Sequence, residues 1–150
     1  MKLPKEIRER FRGYGRAGGL ARAARMSPER RTVVARRAAR ARWIGERFGA
    51  SNFTTLGVPG GDVVDAGLAD LAAGEVTVES LLVSLAAPRL RREGVPIGPV
   101  QVEPEERLFE LLSRSNPDLA HARYGAWLRR IGSFADACRV VRFDRNRHAS

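Results

Sequence analysis

The sequence predicts an all-α protein: a small helical bundle with a basic, helical N-terminal arm. Three observations carry this. Apolar residues recur at spacings of three and four along most of the chain, and no segment keeps the period of two that a strand ladder needs. Gly, Pro and capping residues cut the chain into helix-length pieces. Positive charge is also clustered: residues 1–50 hold 15 Lys/Arg against 4 Asp/Glu, 51–100 hold 3 against 6, and 101–150 hold 9 against 7.

Taken in order, Pro4 to Tyr14 reads as a short charged helix with Ile7 and Phe11 one turn apart, ended by the glycines at 13, 15, 18 and 19. A second short piece, Leu20–Arg25, follows. Ser27 as cap, Pro28 at the first helical position and Glu29 at the positive end of the dipole then open a helix to Phe48, with Gly49 as its stop. Val34, Ala38, Ala41, Gly45 and Phe48 make a narrow apolar stripe of small residues along it. Residues 50–61 are turn-rich and read as a linker. Helices are expected at 62–73, stopped by Gly74, and from Thr77 as cap through Ala87, where Pro88 kinks or stops the chain. Val95–Pro104 must run extended. Helices at 105–114, 117–130 and 133–141 complete the reading, with Asp144–Ser150 as a frayed tail. The expected organisation is therefore an arm (1–49), a linker (50–61), a helical bundle (62–143) and a tail.

Catalytic constellations are missing from this reading. Gly13-Tyr-Gly-Arg-Ala-Gly18 has the letters of a dinucleotide fingerprint, but no strand precedes it, so it reads as a joint between helices. His121 stands alone on a helix and His148 lies in the tail. Asp62 reads as helix-start electrostatics, and Asp65 and Asp70 as solvated. No Cys/His set has metal spacing. Tyr124 and Trp127 share a helical stripe with Ala120 and Ile131 and read as core. The single Cys138 rules out an internal disulfide and suits a reducing cytoplasm. No apolar run approaches the ~20 residues of a membrane span. The expectation is a cytoplasmic binding protein, not an enzyme, without cofactor, metal or small-molecule substrate.

What remains is the basic arm. Only Lys2 and Lys5 are lysines; the other basic residues are arginines, which bond phosphate or carboxylate in bidentate fashion. Arg22, Arg25, Arg30, Arg31, Arg36, Arg37, Arg40, Arg42 and Arg47 form the expected contact surface, facing nucleic acid or an acidic protein.

Residues 18–43 run from a Gly18-Gly19 pair through a basic-alanine stretch and Ser27-Pro28-Glu29-Arg30 to a basic-alanine helix ending in Trp43. With Gly67-Leu-Ala-Asp-Leu-Ala-Ala-Gly74, the segment Thr77–Leu90, Arg107-Leu-Phe-Glu-Leu-Leu112 and Ala120-His-Ala-Arg-Tyr124, this resembles the antitoxin-type small basic bacterial proteins encoded beside nucleotidyltransferase-fold toxins. The resemblance spans most of the chain. It implies a protein that binds and restrains a partner enzyme, with binding to its own operator as an added role, and it supplies no catalytic residues. The alternative reading is a general DNA- or RNA-binding protein that uses the same arginines on phosphates.

Overall fold

The computed structural model describes residues 4–48 and 52–148, and the side chains of 4–47 and 52–140. All its regular elements are helical, as expected, with no strand among the described residues. Contacts divide the chain into two units within a single helix, between Ala35 and Arg36.

In the first unit, α1 runs unbroken over Lys5–Ala24. The expected helix end at the glycines, and the separate piece after it, are not observed. A glycine weakens a helix by ~1 kcal/mol against alanine but does not forbid it, and the surrounding Arg, Ala and Glu are strong helix formers. None of α1's residues is buried. The helix closes through Arg25 N–H to the Arg22 carbonyl (3.2 Å) and Met26 N–H to the Ala23 carbonyl (3.3 Å). Helix α2 (Pro28–Phe48) then starts where the sequence signals it. Arg30 N–H donates to Ser27 Oγ at 3.3 Å, and the Glu29 carboxyl is held below its ordinary range by a backbone N–H and by Ser27. The expected stop at Gly49 lies outside the described residues.

The second unit begins within α2 and holds the core. Part of the expected linker belongs to it: Phe53 is fully buried, edge-on to Trp43 at 6.0 Å and to Phe134 at 4.8 Å between ring centroids. A turn-rich segment can carry an anchor if its backbone is satisfied. Here the Asp65 carboxylate accepts from Phe53 N–H (3.3 Å), Thr54 N–H (2.8 Å) and Thr54 Oγ1–H (2.7 Å). Gly60 adopts φ +73° and packs so tightly that an added Cβ would stand 2.7 Å from the Arg130 carbonyl oxygen.

Helix α3 (Gly61–Ala73) ends on Gly74 at φ +75°, and α4 (Val78–Arg92) opens on a reciprocal capping box. Thr77 N–H donates to Ser80 Oγ at 2.9 Å and Ser80 N–H to Thr77 Oγ1 at 3.0 Å. The helix does not stop at Pro88. Proline removes one donor, the N–H that would reach Ser84, and the last turn still closes through Glu93 N–H to Arg89 O (3.2 Å) and Gly94 N–H to Arg91 O (2.9 Å). After the extended segment come α5 (Pro104–Ser115), a 3-10 turn at Pro117–Leu119, and α6 (Ala120–His148). The two helices expected over 117–141 are one. Ser133 does not break it, because its hydroxyl donates back to the Arg129 carbonyl (3.0 Å) within the helix. The tail, expected to fray from Asp144, stays helical to His148.

Helix α4 packs against α3, α5 and α6, and its Leu81, Leu82, Val83 and Leu90 are fully buried with Val64, Leu108 and Phe134. Helices α3 and α4 approach closely at Gly67, where an added Cβ would lie 2.4 Å from the Glu79 carbonyl oxygen and 2.6 Å from Val83 Cγ2. Gly67→Ala gains ~1 kcal/mol in helix propensity but forces overpacking worth up to ~3 kcal/mol. The expected outcome is a net loss of about 2 kcal/mol, read as a lower urea midpoint with an unchanged m-value.

Candidate basic contact surface

The nine arginines expected to form the contact surface fall into three groups. Arg22 and Arg25 at the end of α1, with Arg30 and Arg31 at the start of α2, belong to the first unit and are exposed. Arg22, Arg25 and Arg30 line one open groove with Gly18, Ala21, Met26 and Val34. Arg36, Arg37 and Arg42 are exposed in the second unit, while Arg40 and Arg47 are half-buried. Among the described residues the ion pairs are made by other arginines (Arg89, Arg114, Arg130 and Arg139). Arg22, Arg25, Arg30, Arg31, Arg37 and Arg42 thus make no ion pair there.

The face of α2 that meets the core is not the expected stripe. Ala38, Ala41 and Gly45 are exposed, as is Val34, and Phe48's side chain lies outside the described residues. The inward side is instead marked by Ile44, 1 % exposed, with Trp43 packed beside the core. Arg40 and Arg47 share that side at helical spacing, since an arginine stem covers apolar surface while its head reaches for a partner. Arg47 finds one: its Nη1 donates to the Glu93 carbonyl at the end of α4 (3.0 Å), and its guanidinium lies 5.1 Å from the Trp43 ring centroid. Gly94, at φ +88°, leaves the space; an added Cβ would stand 2.4 Å from that Nη1. A cation on the C-terminal carbonyls of a helix is stabilising, so Arg47 is a clamp for the second unit rather than a member of a free surface. Arg40 is held below its ordinary pKa chiefly by burial, with Asp65 opposing and Arg37 reinforcing.

Three acidic side chains read as helix-start or solvated groups also tie elements together. Asp62 accepts from Arg130. Asp65 holds the Phe53 turn, and Asp70 accepts from Thr77 Oγ1 at 2.6 Å. Sequence spacing gives no sign of these long-range partners. Tyr124 and Trp127 pack against the core as expected, with Tyr124 O–H donating to Glu105 at 3.0 Å and Phe109 edge-on to both His121 (5.6 Å) and Tyr124 (6.1 Å). No group of three His, Cys, Asp or Glu among the described residues is placed to hold a metal.

The first unit has a face that charge alone does not describe. Ile7, Phe11 and Tyr14 fall on one side of α1 at spacings of four and three, and they are 40 %, 64 % and 74 % exposed. Arg10 and Arg22 flank this stripe at the helical angle of 100° per residue.

Two consequences separate clamp from surface and define the thiol. Arg47→Ala lowers unfolding stability by about 1–2 kcal/mol, whereas Arg37→Ala stays within ~0.5 kcal/mol, both measured by urea denaturation. Burial first, then the charge of Glu93, pushes the Cys138 thiol up to about 11, with Arg47 pulling the other way. Its thiolate fraction at pH 8 is therefore roughly 100-fold below that of an ordinary cysteine, and because the residue is also buried a disulfide reagent labels the folded protein at least that much more slowly than the unfolded chain.

No protein-family model matches this chain, and neither curated proteins nor solved structures provide a match.

Proposed function

We propose that this chain is a non-catalytic, cytoplasmic binding protein that acts as an antitoxin-like neutraliser, with its basic arm laid on a partner enzyme of nucleotidyltransferase type. The observation that carries the reading is α1: a helix that buries none of its own residues yet aligns Ile7, Phe11 and Tyr14 on one exposed side. Contact with phosphates alone requires no such stripe, whereas docking of a helix into an apolar groove does. The flanking arginines select a groove with an acidic rim. The choice of a nucleotidyltransferase as partner rests on the resemblance of residues 18–43 and the later segments to antitoxin-type proteins.

A second reading has its own support. Arg30, Arg31 and Arg37 are exposed along α2 and have no ion-pair partner among the described residues, an arrangement suited to phosphates, the protein's own operator included.

Purification of the full-length tagged protein from its host, with nuclease treatment at moderate salt, tests both. The expected result is one stoichiometric protein partner that survives nuclease, with recovery reduced at least tenfold by the Phe11→Ser/Tyr14→Ser double variant. Recovery unaffected by that variant removes α1 from the interface. Nucleic acid alone, released steeply as salt rises, transfers the assignment to the second reading. A truncation aimed at the same question must stop at residue 26, because Trp43, Ile44 and Arg47 belong to the folded second unit.

A further inference from the structure

Within the second unit a cavity of about 210 Å³ lies between α2, α3 and the extended segment after α4. Its walls are apolar: Leu68, Leu71 and Ala72 from α3, and Pro96, Ile97 and Pro99 from the segment. Two guanidinium side chains, Arg36 and Arg40, also line it. The wall at 96–99 is fixed rather than loose. Arg91 Nη2 donates to the Gly98 carbonyl at 2.8 Å, Gln101 N–H donates to the buried Ser84 Oγ at 3.0 Å, and two prolines restrict the backbone between them. Gly98 lacks a side chain where Arg36 passes; an added Cβ would stand 3.3 Å from its guanidinium carbon.

The charges around the cavity do not balance. Arg40 is drawn below its ordinary pKa by burial and by the like charge of Arg37. The acid that opposes this, Asp65, already accepts from Phe53 and Thr54. A half-buried guanidinium in an apolar wall is best stabilised by an anion that presents two oxygens to it. The size of the cavity sets the rest of that anion. At about 210 Å³ it is smaller than the ~300–1,000 Å³ of drug-sized sites. It can enclose only a single small group, less than a whole nucleotide, and an inorganic ion would leave the apolar walls unused.

We infer that this cavity is a binding site for a small organic carboxylate with a short acyl chain or a single ring, its carboxylate on Arg36 and Arg40 and its apolar body against Leu68, Leu71 and Ile97. The site lies wholly in the second unit and is independent of the role given to α1 and the arginines before Ala35. The same chemistry is offered by a free acid and by the C-terminal residue of a peptide.

Titration of the full-length, isotope-labelled protein with benzoate, benzamide and N-acetyl-leucine, followed by amide chemical shifts, tests the site. Benzoate is expected to shift Ala39, Arg40, Leu71, Ala72, Ile97 and Gly98, and benzamide to bind at least tenfold more weakly. Stronger binding of N-acetyl-leucine than of benzoate identifies a peptide terminus as the source, and the reverse a free acid; both support the site. Arg36→Met, at an exposed position, is expected to weaken benzoate at least threefold without loss of helicity, and Ala72→Phe to abolish binding by filling the cavity with both arginines in place. Equal binding of benzoate and benzamide, shifts confined to the exposed arginines before Ala35, or unchanged binding in Ala72→Phe overturns the inference.

Discussion

Helix α4 is enclosed on most of its circumference: Ser80, Leu81, Leu82, Val83, Ser84, Ala87 and Leu90 are all buried. A helix in that position can carry polar side chains only if each finds a partner inside the protein. Ser80 meets the requirement at the helix start, where its hydroxyl accepts from Thr77 N–H and donates to the Thr77 carbonyl at 3.1 Å. Ser84 donates to the Ser80 carbonyl (2.7 Å) and accepts from Gln101 N–H (3.0 Å). The second of these bonds reaches outward. It fixes the extended segment that returns across α4, so the burial of one helix positions the wall of a cavity built from residues 96–99. The core and the candidate ligand site are thus consequences of one enclosure.

Helix α2 shows how one repetitive sequence takes two roles. Its arginine-alanine composition hardly changes from Arg30 to Arg47, yet the outcome differs because of what stands opposite. Over the C-terminal half, α3, the Phe53 turn and the end of α4 offer apolar surface and a helix-terminal carbonyl. Arg40 and Arg47 therefore lay their stems inward beside Ile44 and Trp43. The arginines before Ala35 belong to the other unit, in which α1 buries none of its residues, and they stay exposed. Arginine is suited to both roles, and composition alone does not separate them.

This explains which parts of the molecule could be read from the sequence. Helix starts signalled by local chemistry were legible: Ser27-Pro28-Glu29 and Thr77 cap helices where they stand, and Gly74 ends one. The helical class followed from periodicity. Breaks inferred from local residues failed: the helices run through the glycines of α1, through Pro88 and across residues 131–133, because a glycine weakens a helix without forbidding it and a proline removes a single donor. The inner face of α2 was illegible for a different reason. A stripe drawn through Val34, Ala38 and Ala41 treats arginine as wholly polar, whereas the real interface uses its methylenes. Phe53 was hidden in turn-rich sequence, since its burial depends on Asp65, eleven or twelve positions away. The arginines of the arm were legible as a charge cluster. The cavity holding two of them needed the fold.

Charge bookkeeping within the molecule then bears on how the arm works. Several acids of the second unit are committed to internal ties: Asp62 to Arg130, Asp65 to the Phe53 turn, Asp70 to Thr77, and Asp136 to Arg89 at 2.6 Å. Residues 1–50 carry their own excess, with 15 basic side chains against 4 acidic ones, and of the four acids so tied Asp65 acts on one of those arginines, Arg40. At physiological salt the Debye length is ~8 Å, so dissolved counterions screen that excess over longer distances and it acts on another molecule mainly at close range. The backbone of α1 points the same way. Four glycines within it weaken the helix by roughly 4 kcal/mol in total relative to alanine, and burial within the chain contributes nothing to offset this. A helix of that composition, carrying an exposed apolar stripe, has only its local propensity to hold it, so under the proposed binding role the order of the arm and recognition are coupled.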